Sequence, residues 1–171
     1  MQATRIIAVR HGETAWNVDT RIQGLRNIPL NEQGIWQAER LAQALRGHAP
    51  FAALYSSDLQ RARLTALAIG RSAGLPVQLE EGLRERHFGE LEGLTHEEIH
   101  ARWPDQARRW KQRDPSYSPL GGETLRDFHA RCVGQLTRLA QRHLGQTIVV
   151  VAHGGVLDCI YRAANGIDLE A

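Results

Sequence analysis

A chain of 171 residues is long enough for one domain that buries roughly two thirds of its unfolded surface, so it needs neither a second domain nor disulfide staples. With 42% hydrophobic and 23% charged residues and a net charge of +2, it is neither disordered nor basic enough to announce a nucleic-acid partner. No run approaches the roughly 20 apolar residues of a membrane span, and Met1-Gln2-Ala3-Thr4 opens no secretory leader, so a cytoplasmic protein with no membrane partner is expected.

Arg5-Ile6-Ile7-Ala8-Val9 reads as a strand buried on both faces, the pattern of a central strand in a parallel sheet, with Arg10-His11-Gly12 at its carboxyl end. Glu13 to Leu30 has no clean periodicity and reads as a long loop carrying Asn17, Gln23 and Gly24. Asn31 caps a helix whose inner face is Ile35, Ala38, Leu41, Ala42 and Leu45. Ala52 to Ser56 is a short strand, and Ser57 or Asp58 caps a helix that turns Leu59, Ala62, Ala66 and Ile69 inward and places Arg61 in its first turns. Val77-Gln78-Leu79 is a weaker strand, followed by a charged loop from Glu80 to Gly89 that contains Arg84 and Glu85.

Thr95 and Glu98 make a capping box for a short helix that Pro104 stops. Asp114 to Gly122 is expected as a mobile loop. Thr124 caps the clearest helix, with Leu125, Phe128, Cys132, Leu136 and Leu139 at helical spacing. It leads to a second buried-type strand, Thr147 to Ala152, which also stops at His-Gly, in His153-Gly154-Gly155. A final helix presents Val156, Leu157, Ile160 and Tyr161 and ends at Gly166. Strands alternating with helices predict an α/β fold, a three-layer αβα sandwich with a mainly parallel sheet, in one domain over residues 1–171. Cys132 and Cys159 lack C-x-x-C spacing and read as small buried hydrophobes in a reducing compartment.

In open α/β sheets the ligand crevice lies beyond the strand carboxyl ends. The polar residues this layout gathers there are Arg10, His11, Asn17, Gln23, Arg61, Glu85 and His153. Arginines and imidazoles with one carboxylate fit a tetrahedral oxyanion, because phosphoryl transfer needs positioning and spread positive charge more than covalent chemistry. A neutral histidine can attack phosphorus, and a buried carboxyl group can protonate the leaving oxygen. Lys111 is the only lysine beside many arginines, which reflects either base composition or the suitability of guanidinium for bidentate phosphate contacts.

Arg10-His11-Gly12-Glu13-Thr14 with Trp16-Asn17 resembles the signature of the histidine phosphatase superfamily, the phosphoglycerate-mutase-like enzymes. The likeness continues through Gln23-Gly24, Pro29 to Gly34, Tyr55 to Ala62, Leu83-Arg84-Glu85, Gly89 to Gly93, Gly121 to Thr124 and Val151 to Gly155. By this resemblance His11 is the nucleophile and Glu85 the proton donor. Arg10, Arg61 and His153 complete the catalytic set, with Asn17, Gln23, Gly24, Arg84 and Gly154 as substrate ligands. It implies no metal and no cofactor. Mutases of this family carry a longer insertion between the acid-bearing loop and the Gly-Gly-Glu block. The short stretch here favours a phosphomonoesterase of the broad-specificity or α-ribazole kind, acting on a small phosphorylated metabolite.

The resemblance stops at the carboxyl end, where family members continue and add strands beside the nucleophile strand. On that account the Arg5 to Val9 strand becomes a sheet edge, which a second subunit would cover in a homodimer. The alternatives are a cofactor-dependent phosphoglycerate mutase, which moves the phosphoryl group between hydroxyls, and a catalytically silent binder of a phosphorylated ligand. His96-Glu97-Glu98-Ile99-His100 matches a zinc-binding pattern, yet it sits in a short capped helix with no third ligand placed and reads as a solvated face. His87 is a candidate for substrate contact. Trp103, Trp110 and Tyr117 are read as lining the substrate entrance or packing a lid.

Overall fold

A computed structural model describes residues 2–171. The sheet holds strands β1 (Arg5–Arg10), β2 (Ala53–Ser56), β3 (Val77–Leu79) and β4 (Thr147–Ala152) in the order β1-β4-β2-β3, all parallel. Alternation along β4 divides the core. Val149 and Val151 face helices α2 (Glu32–Leu45) and α3 (Gln60–Ala73), whereas Ile148, Val150 and Ala152 face α6 (Leu125–Arg142) and α7 (Gly154–Asn165). Two apolar clusters on opposite faces of one sheet make the expected three-layer sandwich. No helix among the described residues is long and apolar enough to cross a membrane.

Of the two expectations for β1, a central strand from its apolar run and an edge strand from the absence of the family's further strands, the sheet order fits the second. Among the described residues the strand lies at the sheet edge, pairs only with β4, and buries only Val9 of its six residues. An apolar run reports that both faces are covered and is silent about whether both edges are paired. β4, with five of six residues buried, is the strand that fits the central description.

Helix caps follow their sequence signals at Asn31, Thr95 and Thr124, each side chain accepting from the backbone three residues on. Helix α3 is capped instead by Leu59, because the Asp58 carboxylate is taken by Arg84 while Ser57 Oγ accepts the Leu59 N–H. Two elements were not expected. Thr14 and Asn17 form a reciprocal capping box that starts a single turn, α1 (Ala15–Val18), inside the predicted loop. Pro104 does not merely stop α4 (His96–Arg102); it occupies the first position of α5 (Pro104–Lys111), where a missing N–H costs nothing. Ile35 and Tyr161, predicted inward, are exposed, and Gly34 and Cys159 take the core positions of their helices.

The Asp114 to Gly122 stretch is irregular but tied down. Arg86 donates to the carbonyls of Tyr117 and Glu123, and Glu90 N donates to Leu120 O. Cys132 and Cys159 are both buried in the α6 and α7 layer. Behind the nucleophile strand, Gly12 lies so close to Gly34 that a Cβ on either would strike the other loop's backbone, so α2 packs directly on the turn after β1.

Candidate active site

Both candidate imidazoles and Arg10 lie at the carboxyl ends of strands, and Arg61 lies in the first turn of α3. Arg10 ends β1, His11 follows it, and His153 follows β4. Because β1 and β4 are neighbours in register, with Arg10 opposite Ala152, the two imidazoles converge with ring centroids 5.3 Å apart. A cavity of about 400 Å³ is lined by Arg10, His11, Gly12, Glu13, Asn17 and Gln37.

The state of His11 follows from its contacts. Its Nδ1 lies 2.7 Å from the Gly12 carbonyl, which can only accept, so Nδ1 carries the proton and Nε2 presents a lone pair. Burial lowers its pKa to about 4, with Arg61 and Arg10 pushing the same way and the Gly12 contact opposing. The ring is therefore neutral and nucleophilic at neutral pH.

His153 is wholly buried, and burial first, then Arg61 and His11, hold its pKa far below the usual imidazole value. Ser57 Oγ lies 2.8 Å from its Nε2 and already accepts the Leu59 N–H, so its hydroxyl hydrogen is free to donate to Nε2. The His153 Nδ1 is buried with no partner among the described residues, and carries the imidazole proton when the Ser57 hydroxyl donates to Nε2.

Arg61 is 1% exposed. Its terminal nitrogens donate to the carbonyls of Arg26 and Gly24, while its Nε is the second buried donor left unpaired among the described residues. Burial lowers its pKa to about 10, with Glu85 and Glu92 opposing, so it remains a cation at neutral pH. A buried donor without a partner costs about 1–3 kcal/mol. Arg61 Nε and His153 Nδ1 are thus two buried nitrogens without partners among the described residues, on side chains whose charge or ring is felt at His11.

Glu85 stands on the loop after β3. Its Oε1 accepts from Arg86 N at 2.9 Å and its Oε2 from Gly155 N at 3.0 Å. Burial raises its pKa above the usual carboxylate range against those two bonds and the charges of Arg61 and Arg10. A Cβ at Gly155 would run into this carboxyl group, so the second glycine of His153-Gly154-Gly155 is what allows the acid its place.

The remaining expected ligands divide. Asn17 Oδ1 accepts from Thr14 N and Gln23 Oε1 accepts from the Thr14 hydroxyl, which turns both amides around one threonine. Gly24 contributes its carbonyl to Arg61, and Gly154 begins α7 next to the Arg10 guanidinium. Arg84 is bound through two nitrogens to Asp58, at 2.8 and 2.5 Å, and supports the loop rather than the cavity. His87 lies 3.9 Å from Glu92 and lines none of the cavities described here. His96 packs against Trp110 with centroids 4.9 Å apart, and no cluster of metal-ligating side chains occurs among the described residues.

Three supporting residues escaped the sequence reading. Ser57 orients His153. Glu92, nearly buried, accepts from Leu25 N and Phe88 N and so joins the loop that holds Arg61 to the loop beyond Glu85. Arg131 donates to the carbonyls of Gly82 and Arg84 and to the Glu123 carboxylate, clamping the Glu85 segment from α6. Ser57 and Glu92 lie within the motif blocks already quoted; Arg131 had no signal in sequence, being one arginine among many on an exposed-looking helix face.

Comparison with known families places residues 6–171 in the histidine phosphatase superfamily, branch 1. The chain belongs to that superfamily. Among curated relatives, phosphoglycerate mutase-like protein 4 of Arabidopsis thaliana is 40% identical over 162 residues, covering 94% of this chain and 70% of that one. Phosphoserine phosphatase 1 of Hydrogenobacter thermophilus is 39% identical, covering 97% and 78%. The mycobacterial glucosyl-3-phosphoglycerate phosphatase solved with VO3 superposes with a TM-score of 0.87 at 34% identity, covering 99% of this chain and 85% of that one. Membership in the histidine phosphatase superfamily agrees with the reading of Arg10-His11-Gly12 as the signature of the chain.

Proposed function

We propose that this chain, as one domain over residues 1–171, hydrolyses phosphate monoesters of small molecules through a phosphohistidine at His11. The observation that carries the reading is the pair of buried unpartnered donors, Arg61 Nε and His153 Nδ1, beside a neutral His11 whose Nε2 lone pair is free. In the first displacement Nε2 forms a bond to phosphorus while the ester P–O bond breaks, and Glu85 delivers its proton to the departing alkoxide. In the second, water attacks the phosphohistidine, Glu85 takes up the water proton, and the N–P bond breaks to release phosphate and return His11. Arg10, Arg61 and His153 spread the charge of the transferring group, a term that ranks among the largest in such reactions. Asn17 and Gln23 have carbonyl oxygens engaged by Thr14, which leaves their amide nitrogens to meet phosphoryl oxygens.

Hydrolysis is favoured over return to a second hydroxyl because the segment between the Glu85 loop and Gly121 is short, with α4 and α5 as its helices of more than one turn, and a phosphohistidine sheltered by little chain would meet water. The relatives named as phosphatases support the same choice. An aryl phosphate assay between pH 5 and 8 in EDTA tests the reading, with turnover and an acid-labile, alkali-stable phosphoprotein expected. Binding of phosphate without turnover would convert the chain to a silent phospho-ligand binder.

The open edge of β1 supports a further element of the proposal, that two copies pair there in solution, since an unpaired parallel strand presents a row of free N–H and C=O groups. Light scattering at micromolar concentration is expected to give a dimer mass; a monodisperse monomer would remove the pairing.

A further inference from the structure

Four consecutive backbone N–H groups in the turn after β1 have four different partners. His11 N donates to Ala152 O of β4, Gly12 N to Thr65 Oγ of α3, Glu13 N to Gln37 Oε1 of α2, and Thr14 N to Asn17 Oδ1 of α1. Borrowing one acceptor from each surrounding element fixes the turn peptide by peptide. Thr65, itself buried, donates its hydroxyl hydrogen to Arg61 O, so the α3 contact is tied to the residue that carries the guanidinium. The α2 contact goes further, because it reaches the nucleophile.

Glu13 N and Gly12 O belong to one peptide unit, which is planar and trans, so its N–H and C=O point in opposite directions. Gln37 Oε1 holds the N–H end at 2.9 Å, and the C=O end meets His11 Nδ1 at 2.7 Å. Rotating that plane moves both ends together. Loss of the Gln37 oxygen therefore frees the carbonyl that keeps the His11 proton on Nδ1 and the lone pair on Nε2. Polarisation works in the same sense, since a peptide whose N–H is engaged presents a stronger carbonyl acceptor. The placement of Gln37 follows from helical spacing. Asn31, Gly34 and Gln37 are three residues apart and so share one face at the start of α2. Asn31 N donates to Glu13 O and its Nδ2 to Glu13 Oε1, while a Cβ on Gly34 would strike the Glu13 backbone. That close approach brings Gln37 within reach of the Glu13 N–H. Its amide orientation is unambiguous, because only the carbonyl oxygen can accept from an N–H.

We infer that Gln37 is a positioning residue for phosphoryl transfer, holding through the Gly12–Glu13 peptide the carbonyl that sets the tautomer and aim of the His11 ring. The inference rests on the phosphatase reading, in which His11 Nε2 attacks phosphorus. Gln37 acts through the peptide and needs no contact with substrate, so its removal changes the rate of the bound complex rather than the binding of the phosphoryl group.

Gln37→Met keeps the length and bulk of the side chain but offers only a thioether, a weak acceptor, whereas Gln37→Glu keeps an oxygen at the same reach. With an aryl phosphate, Gln37→Met is expected to lower kcat about 10- to 100-fold, the cost of a displaced reacting group, with KM changed less than about threefold. Gln37→Glu is expected to recover most of that loss. Nitrogen-15 NMR of histidine-labelled protein reads the ring without turnover, the His11 signal being the one missing from His11→Ala. The Nδ1–H form is expected in the unmodified protein and in Gln37→Glu, and a mixture of tautomers in Gln37→Met. Thermal unfolding is followed alongside, with Gln37→Ala as a second acceptor-free variant should Gln37→Met fold poorly. Unchanged kcat in the acceptor-free variants, equal losses in Gln37→Met and Gln37→Glu, an unaltered His11 tautomer, or an effect confined to KM would overturn the inference and leave the phosphatase reading standing. A tautomer change in Gln37→Met, with no ester hydrolysed by the unmodified protein, would keep the peptide link and sink the phosphatase reading.

Discussion

His11→Ala is expected to remove turnover by at least on the order of 10⁴-fold and to remove the trapped phosphoprotein with it, because it takes away the imidazole whose Nε2 lone pair attacks phosphorus in the proposed reaction. The loss should lie in kcat. Arg61 Nε and His153 Nδ1 remain in place to bind phosphate, so inorganic phosphate should still bind the variant, measured by calorimetry. Rapid-quench labelling with a radioactive aryl phosphate reads the intermediate directly. Acid-labile label persisting in His11→Ala would move the nucleophile elsewhere and end the assignment.

For Glu85→Gln a loss of about 10²- to 10⁴-fold is expected with alkyl phosphates, whose alkoxide cannot leave without a proton, and a much smaller loss with activated aryl phosphates. The pH profile carries the sign. His11 must be neutral, and its pKa is depressed to about 4, so the rate falls as pH drops through that value. Glu85 must be protonated, and burial raises its pKa, so its contribution is lost as pH rises through the raised value. The unmodified enzyme should therefore show kcat/KM falling on both sides of an acidic optimum, and Glu85→Gln should keep the acid limb and lose the alkaline one. Glutamine also sets an N–H against the N–H of Arg86 or Gly155, a mismatch costing about 1–3 kcal/mol, so thermal unfolding is measured alongside. Equal losses for both classes of ester would take Glu85 out of the acid role.

Much of this site was legible before the fold was known, for a physical reason. Strand runs ending abruptly in His-Gly announce both imidazoles, and parallel pairing of β1 with β4 brings them together. Helix starts at Asn31, Thr95 and Thr124 were readable because a capping side chain satisfies its own neighbours. What escaped depends on contacts distant in sequence. The edge position of β1 could not be read from its own five residues and was anticipated only through the resemblance to a family with further strands. The diversion of Arg84 to Asp58 and the clamp of Arg131 on the Glu85 segment need the loop after β3 to lie against α3 and α6. Pro104 was misread because its missing N–H ends one helix and suits the start of the next equally well.

The nucleophile follows a strand held by a ladder on one side only, with His11 N donating to Ala152 O as its last rung. Peeling β1 from β4 would therefore displace His11 while β2, β3 and the helices around them stay folded, and such a local opening requires less free energy than global unfolding. Activity then reports the opening of one edge rather than the stability of the whole domain. Were two copies to pair along β1 as proposed, the second strand would raise the free energy of that opening, and dilution would then lower the fraction of chains with a seated nucleophile.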